Sequence, residues 1–290
     1  MSHFSKTQYN AFSESYDAVN DLPISRAIVI NVERLIRPHI RGKRVLELAC
    51  GTGFFTRHML DWGAASVVGV DVSQAMVDIA TSEMARQRPQ HKGKYRFMVA
   101  DCSAPFSAHA HAGEGTEGEE EEEEQEGGGE FDLVFAAWLL NYAPDQPTMT
   151  AMFRNISTHL KPDGRFISVL PHPEDDPMVC IDRVNAARQL GYGYGIQVRK
   201  SLAPAIPRAY YVHLFFDSTP PVDFGNYYLP KHVHERAARE GGMEGALAWE
   251  AVTLPDDYDE INRYMKDPVS PGYFDRWLEY PDFGILIVEK

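Results

Sequence analysis

Short apolar segments alternate with amphipathic ones along the first 170 residues of the chain. The apolar runs have the length of buried strands, and the segments between them carry apolar residues at helical spacing. This alternation of strand and helix is typical of an α/β domain built on a parallel sheet. The predicted strands are Val45–Leu48, Val67–Val70, Tyr95–Val99, Phe131–Phe135 and Arg165–Leu170.

Helical patterns separate these strands. They lie at Phe54–Asp61, Gln74–Arg88 and Thr148–Leu160, after two N-terminal patterns at about 6–19 and 24–37. Ser73 is placed to cap the helix that follows it, because a serine hydroxyl accepts a hydrogen bond from an unpaired N–H of the first turn. The sequence KPDGR at 161–165 predicts a turn that ends the third internal helix and begins the fifth strand.

The chain becomes rich in aromatic residues after the fifth predicted strand. Nine of the 33 aromatic residues fall within residues 192–228, which suggests a separate layer added to the sheet. Within it, AYYVHLFF and VDFGNYYL predict two strands joined by a Pro-containing turn. The helical segment HVHERAARE follows, and LAWEAVTL and FGILIVEK predict the last two strands.

Composition is that of a globular protein. The chain has 290 residues, of which 44% are hydrophobic, so it can bury a substantial core. No apolar run approaches the roughly 18 residues that span a bilayer, and the N-terminus lacks the features of a secretory signal. The three cysteines have neither metal-site spacing nor an even number for disulfides. We therefore expect a cytoplasmic protein without membrane contact.

The net charge of −14 arises mainly from one segment. Residues 114–130 contain ten acidic residues and no basic one, and without them the net charge is only −4. A tract of Glu and Gly repels itself and cannot bury apolar area, so residues 107–130 are expected to form a disordered, solvated insertion without a protein partner. Nucleic-acid binding is not expected either, because phosphate contacts need clustered Lys and Arg.

The sequence RVLELACGTGFFT at 44–56 predicts a ligand-binding turn after the first strand. A P-loop would need Gly-Lys-Ser/Thr at the second glycine, whereas Gly53 is followed by Phe54. A dinucleotide fingerprint would need a third glycine, and Thr56 stands at that position. The turn therefore favours a nucleotide-like ligand of another kind.

Residues around this turn indicate the chemistry of that ligand. Gly51 and Gly53 permit positive φ angles and let the backbone approach a ligand closely. The helix predicted from Phe54 offers free N–H groups to a carboxylate, and Glu47 at the strand end suits an ammonium group. A zwitterionic amino-acid tail needs both charges, whereas a pyrophosphate has no use for the acid.

Acidic residues stand at the ends of three successive strands. They are Glu47, Asp71 and Asp101. Asp71 lies 18 residues beyond Gly53, where a carboxylate can accept both hydroxyl groups of a ribose. A single acid at a strand end caps a turn or a helix about as often as it contacts a ligand. Three such acids beside a glycine turn indicate one shared ligand.

These features resemble the first motifs of class I S-adenosylmethionine-dependent methyltransferases, E/D-x-G-x-G-x-G, with Ala49 in place of the first glycine. FDLVFAAWLLNYAPD, LKPDGRFISVLPHP and PGYFDRWLEYPDFGILIVEK are similar to segments of the toxoflavin-synthase-like and ubiquinone-biosynthesis-like small-molecule methyltransferases. The resemblance rests on motifs in residues 44–170 and on the layout alone in residues 171–290.

The resemblance implies an α/β fold with a Rossmann-like, seven-stranded, mostly parallel twisted sheet. Its strand order would be 3-2-1-4-5-7-6, with the seventh strand antiparallel. We expect a single domain over residues 1–290, with N-terminal helices, a cofactor-binding core, a substrate cap inserted after the fifth strand and a final antiparallel strand pair. These parts would span residues 1–40, 44–170, 171–245 and 246–290.

S-adenosylmethionine is the cofactor that the resemblance implies. Asp101 would hold the adenine amino group, and Cys102 would donate its backbone N–H to the ring. Tyr16 on the N-terminal helix is a further candidate contact, or else a helix-packing residue. The cofactor contacts predicted in this way are Tyr16, Glu47, Ala49, Gly51, Gly53, Asp71, Val72, Asp101, Cys102 and Ala137.

The acceptor should bind beyond the carboxyl ends of the strands, as ligands do in open α/β sheets. The candidate acceptor residues, after the fourth strand and in the aromatic segment, are Trp138, Asn141, Tyr142, Tyr210 and Tyr227. His172 is the candidate general base, because an imidazole titrates near neutral pH. A lone histidine in a loop is more often an ordinary loop residue than a base, and HPEDDP reads as a solvated loop and helix start, so no metal is expected.

The predicted reaction is in-line methyl transfer to an O, N or S atom of a small, planar or aromatic metabolite, in secondary metabolism. One alternative is a protein methyltransferase or regulatory partner that uses the acidic segment. The other is a protein of this fold that binds the cofactor and catalyses a non-methylating reaction.

Overall fold

The computed structural model describes residues 19–20, 22–109, 130–191, 194–254, 258–263, 268–270, 272–279 and 281–290. The predicted helix at about 6–19 falls outside the described residues except for its last position, and Tyr16 lies outside them entirely. Most of the acidic insertion, residues 110–129, also lies outside them. The predictions made for these positions stay predictions.

Ten strands in the described residues form two sheets. In chain order they are β1 (Arg44–Leu48), β2 (Ser66–Asp71), β3 (Tyr95–Val99), β4 (Phe131–Ala137), β5 (Leu160–Pro171), β6 (Tyr194–Ser201), β7 (Tyr210–Phe216), β8 (Val222–Tyr228), β9 (Leu247–Glu250) and β10 (Phe283–Glu289). Seven of them form one sheet in the order β3-β2-β1-β4-β5-β10-β9, and β6, β7 and β8 form the other. The first five strands run parallel, and β10 is antiparallel to both of its neighbours. The predicted sheet order is therefore confirmed.

Helices cover both faces of the large sheet. The helices of the described residues are α1 (Pro23–Ile40), α2 (Phe54–Asp61), α3 (Gln74–Gln87), α4 (Gln146–His159), α5 (Pro177–Gln189), α6 (Lys231–Glu240) and α7 (Tyr258–Asn262), of which α5 packs on the smaller sheet. Ser73 caps α3 as predicted, since its hydroxyl accepts a hydrogen bond from the Met76 N–H. Asp145 caps α4 in the same way by accepting from the Thr148 N–H at 2.8 Å.

The core has one layer on each face of the sheet, because successive strand residues point to opposite sides. Leu46 belongs to the layer that also contains Phe153 of α4 and Ala237 of α6. Its neighbour Val45 belongs to the layer that contains Val32 of α1. This two-sided burial accounts for the uninterrupted apolar character of the strands in the sequence.

The turn predicted at residues 161–165 lies inside β5. The pairing of β4 with β5 passes from Phe131–Leu160 to Leu133–Arg165, so β5 places five residues where β4 places two. The additional residues form an irregularity in the strand, which is a common way for a sheet to accommodate extra chain. The turn-forming residues thus interrupt β5 without ending it, and the strand begins earlier than predicted.

The segment between β5 and α6 forms a helix and a three-stranded antiparallel sheet. The predicted pair of aromatic strands is β7 and β8, and β6, which was not predicted, adds to the outer edge of β7. This small sheet has a core of its own with α5, built from residues such as Val184, Val212 and Tyr228. We call this unit the cap sheet.

In the described part of the chain, no helix combines the length and apolar character that crossing a membrane requires.

Candidate functional site

A cavity of about 340 Å³ opens at the carboxyl ends of the large sheet. Polar and small side chains reach it from the ends of β1, β2 and β4 and from the loop after β3. Of the predicted cofactor contacts, it brings together Glu47, Ala49, Gly51, Asp71, Val72, Asp101, Cys102 and Ala137. Of the predicted acceptor contacts, it includes Trp138, Tyr142 and Tyr227. We call this space the first cavity.

The glycine turn between β1 and α2 forms one wall of the first cavity. Ala49, Gly51 and Gly53 all have left-handed backbone angles, with φ values of 54°, 52° and 75°. Ala49, which replaces the first glycine of the motif, therefore carries the modest strain that a Cβ atom causes in this region. The Gly53 N–H donates to the Cys50 carbonyl at 2.9 Å, and α2 begins at the next residue.

Replacing the two glycines of this turn with alanine should separate backbone strain from steric overlap. A Cβ atom on Gly51 would meet no protein atom within 4 Å, whereas one on Gly53 would lie 3.1 Å from Phe97 Cζ and 3.3 Å from Ala80 Cβ. We expect Gly51→Ala to lower the free energy of unfolding by about 1 kcal/mol, for strain alone. Gly53→Ala should lower it by about 2–4 kcal/mol, because overpacking is added.

Urea denaturation of the two variants measures the difference between them. Equal losses would show that Phe97 moves aside, and that strain alone governs both positions.

Asp71 joins the end of β2 to the glycine turn. One carboxylate oxygen accepts a hydrogen bond from the Gly51 N–H at 2.9 Å, and the other accepts from the Ser73 N–H at 2.9 Å. The residue is only 8% exposed, and burial raises the pKa of its carboxyl, partly offset by these backbone donors. A carboxylate offers about four acceptor positions, and the backbone N–H groups of Gly51, Val72 and Ser73 use only part of them, so the group still has capacity for a ligand in the first cavity.

Glu47 is the more deeply buried of the two buried acids that line the first cavity. It lies in β1, is 2% exposed, and accepts a hydrogen bond from the Thr56 hydroxyl of α2. Burial raises the pKa of its carboxyl to about 8, although the Thr56 hydrogen bond and the charge of Arg57 act in the opposite direction. The first cavity therefore contains an acid whose anionic form gains stability from any cation placed beside it.

Asp101 and Cys102 form the loop after β3. The Asp101 carboxylate accepts from the N–H and the hydroxyl of Ser103, at 3.0 and 2.7 Å. The Asn155 amide of α4 donates to the carbonyls of Cys102 and Ala104, both at 2.8 Å. These hydrogen bonds fix the loop against α4 and hold both predicted contacts at the edge of the first cavity.

Among the described residues, four predicted site residues do not line the first cavity: Gly53, Tyr210, His172 and Asn141, which lines a second space described below. Gly53 lies at the end of the glycine turn, directly before α2. Tyr210 lies in the cap sheet, where it pairs with Ser201 and Tyr228. His172 lies just beyond β5, with its Nδ1 atom 3.2 Å from Glu174 Oε1. Burial lowers the pKa of its imidazole, partly offset by the Glu174 carboxylate. The structure thus gives His172 no place beside the cavity, and its role as a base stays a prediction.

A second, smaller cavity of about 50 Å³ lies between the large sheet, the cap sheet and α1. Asn141, a predicted acceptor contact, lines this space and is absent from the lining of the first cavity. Trp138 and Ser25 line both spaces, so the two cavities are neighbours. We call this space the second cavity.

Comparison with known proteins identifies the family. A family model described as a methyltransferase domain matches residues 24–205, more than half of the chain. The chain belongs to this methyltransferase family. The family prediction made from the glycine turn and the three acids is therefore confirmed.

Individual relatives are distant. An uncharacterized protein of Haemophilus influenzae is 26% identical over 164 residues, which are 56% of this chain and 56% of that protein. A malonyl-[acyl-carrier protein] O-methyltransferase of Legionella pneumophila is 28% identical over 134 residues, or 46% of this chain and 37% of that protein. The chain thus spans about half or less of the length of these relatives.

Solved structures share the fold, and some of them are named as methyltransferases. The structure described as a DhpI-SAM-HEP complex matches with a TM-score of 0.56 and 18% identity, over 97% of this chain and 94% of that one. At this identity the likeness shows the fold alone. It agrees with the seven-stranded sheet described above.

Several lining residues were not predicted from the sequence. In the first cavity they include Thr52 and Phe54, whose positions beside Gly51 and Gly53 were a usable signal. In the second cavity they include Asn226 and Asp282. Each is a polar residue inside an apolar run, VDFGNYYL and YPDFGILIV, and that interruption was the only local signal of their importance.

The described residues contain no group of three or more His, Cys, Asp or Glu side chains arranged to hold a metal ion.

Proposed function

We propose that the chain binds S-adenosylmethionine in the first cavity and transfers its methyl group to a small, planar or aromatic metabolite. One observation carries this proposal. The carboxyl groups of Glu47, Asp71 and Asp101, from three successive strands of the sheet, meet in one cavity beside a left-handed glycine turn. An amino acid joined to a nucleoside has hydrogen-bond donors that suit all three.

The residues present fit that cofactor. Glu47 would pair with the ammonium group, and the N–H groups at the start of α2 would face the carboxylate. Asp71 would accept the ribose hydroxyls, and Asp101 the adenine amino group. When bound, the cofactor supplies a methyl group on a positively charged sulfur, which is open to attack by a nucleophile.

The chain contributes chiefly by positioning the acceptor. Trp138, Tyr142 and Tyr227 form an aromatic side of the first cavity. Their faces suit a flat acceptor and also stabilise a positive charge by cation–π contact. Holding the acceptor atom close to the methyl carbon and in line with it accounts for much of the rate in such reactions.

Relatives support the same activity. The Legionella pneumophila protein is an O-methyltransferase by name, and the structural neighbour DhpI was determined in complex with SAM. Both observations concern those proteins and are consistent with the cofactor proposed for this chain.

Isothermal titration of the full chain with S-adenosylhomocysteine tests the cofactor step. We expect saturable binding with about one site per chain, and absence of binding by folded protein would refute the proposal. A second measurement follows labelled methyl from S-adenosylmethionine into a panel of planar metabolites. Transfer of the label distinguishes methylation from a non-methylating reaction that only needs the cofactor bound.

A further inference from the structure

The second cavity contains three buried polar side chains with atoms that lack a hydrogen-bond partner among the described residues. Asn141 lies in the short turn after β4, Asn226 in β8, and Asp282 directly before β10. Their exposed fractions are 2%, 2% and 5%. Both amide atoms of Asn141, Oδ1 of Asn226 and Oδ1 of Asp282 have no partner among the described residues, and all three residues line the second cavity.

Unpartnered polar atoms at this depth call for an explanation. A buried group that has lost its water without gaining a partner destabilises the fold, and most such groups in proteins are satisfied. Here three come from elements far apart in sequence and face one space. A ligand, or water that a ligand displaces, accounts for all three at once.

The backbone holds Asp282 firmly in this position. Its carbonyl accepts from the His172 N–H at 3.2 Å, and the Cys180 thiol lies 3.8 Å from the same oxygen. The side chains that face its carboxyl are Tyr194 of β6, which forms a hydrogen bond with it, Tyr228 of β8 and Cys180 of α5. All three are uncharged at neutral pH, and among the described residues no Lys or Arg pairs with Asp282.

Aromatic rings line the second cavity beside these polar groups. Tyr194 stacks on Phe216 with ring centroids 5.0 Å apart, and Phe216 stacks on Phe224 at 5.5 Å. All three line the second cavity. Ring faces beside a carboxyl that has no basic partner among the described residues suit a flat cation, which gains both stacking and cation–π contact.

We propose that the second cavity binds a planar nitrogen base of the methyl acceptor, an amidinium-like group whose N–H donors pair with Asp282, Asn226 and Asn141 against the aromatic stack. This inference rests on the proposed function, since it names the chemical class of the acceptor. Oxygen acceptors predominate among the unpartnered atoms, and this favours a ligand rich in N–H donors. A carboxylate on the ligand would instead face the Asp282 carboxyl.

Trp138 links this second cavity to the reaction site. It lines both cavities and has a left-handed backbone, with φ of 65°, although the residue is bulky. Its N–H donates to the Val169 carbonyl at 2.8 Å, which holds it at the boundary. Non-glycine residues adopt such angles where the surroundings enforce them, often at functional sites. An acceptor anchored in the second cavity would pass Trp138 to reach the methyl group.

Benzamidine and its neutral analogue benzamide provide the test. Both are planar and similar in shape, but only benzamidine carries the positive charge. We expect benzamidine to bind the full chain at millimolar concentration by titration calorimetry, and benzamide to bind at least tenfold more weakly. Asp282→Asn and Asn226→Leu, each close to isosteric, should weaken benzamidine binding about tenfold. The affinity for S-adenosylhomocysteine should change less than twofold in both variants, which also shows that they fold.

Each outcome decides the proposal. Equal binding of benzamidine to the wild type and to both variants overturns it, as does equal binding of benzamide. If S-adenosylhomocysteine binds but benzamidine does not, the acceptor class is wrong while the proposed function stands. If S-adenosylhomocysteine itself fails to bind, the proposed function fails and this inference with it. A crystal grown with benzamidine that shows ordered water alone in the second cavity also overturns it.

Discussion

Replacing Asp71 with asparagine is expected to lower the affinity for S-adenosylhomocysteine about 100-fold. Hydrogen bonds to a charged group contribute about 1.5–3 kcal/mol each, and a loss of about 2.7 kcal/mol corresponds to a factor of about 100. The carboxylate would serve the ribose hydroxyls while its two oxygens also accept from the N–H groups of Gly51 and Ser73. Titration calorimetry measures the change directly.

The asparagine variant should change the stability of the glycine turn as well as the affinity for the ligand. Its amide offers one oxygen and one NH₂ group, so either Gly51 or Ser73 would face a donor in place of an acceptor. We expect the free energy of unfolding to fall by about 1–3 kcal/mol for that reason. Chemical denaturation therefore accompanies the binding measurement, so that loss of fold is not mistaken for loss of ligand.

Asp132 supplies a matched control at the opposite edge of the sheet. It lies near the start of β4, where its carboxylate accepts from the Arg44 N–H at 2.8 Å and from Lys161 Nζ at 2.7 Å. It thus joins two strands much as Asp71 does, but away from both cavities. Asp132→Asn should leave the affinity within twofold of the wild type. Equal losses in the two variants would mean that Asp71 acts only on stability.

The large sheet could be predicted from the sequence because both of its faces are buried. Strands such as Val67–Val70 then read as short apolar runs, and acidic residues at their ends mark the edge where a ligand binds. The order of the strands was harder to predict from local patterns, because β5 pairs with β10, whose residues are more than 100 positions away in the sequence. It came from the family resemblance.

The second cavity could not be predicted because no local pattern encodes it. Asn141, Asn226 and Asp282 lie on three elements that only the folded chain brings together. Each residue alone reads as a polar interruption of an apolar segment, and such interruptions are common at strand ends. Strand β6 was missed for a related reason, since only the first part of it is buried and the rest is exposed.

Glu47 shows how burial changes the meaning of a motif residue. The sequence alone predicts a negatively charged carboxylate that pairs with an ammonium group. The structure places it in a site with so little water that its carboxyl is mostly protonated at pH 7, since its pKa is raised to about 8. Binding of a cation must therefore remove the proton, and this links ligand affinity to pH.

We expect binding of S-adenosylhomocysteine at pH 7 to release close to one proton per chain. An ammonium group beside Glu47 favours the anionic carboxylate, so its pKa falls from about 8 on binding. Titration calorimetry in buffers of different ionisation enthalpy measures the number of protons released. The release should shrink toward pH 9, where the free protein has already lost this proton.

Glu47→Gln should abolish the proton release and weaken binding at least tenfold, because the amide cannot carry the charge that the ammonium needs. The same change should alter stability in a defined direction. The folded pKa of Glu47 is about 8 against an ordinary value of 4.5. The contribution of Glu47 to the free energy of unfolding is therefore full below pH 4.5 and is lost as the pH rises through 8. The free energy of unfolding of the glutamine variant should not show this decrease.

Asp282→Asn serves as the control for the proton count, since Asp282 is also a buried acid but lines the second cavity. That variant should still release close to one proton when S-adenosylhomocysteine binds. If Glu47→Gln releases as many protons as the wild type, then another group titrates. The ammonium group would then lie elsewhere, and the assignment of the first cavity to an amino-acid tail would be wrong.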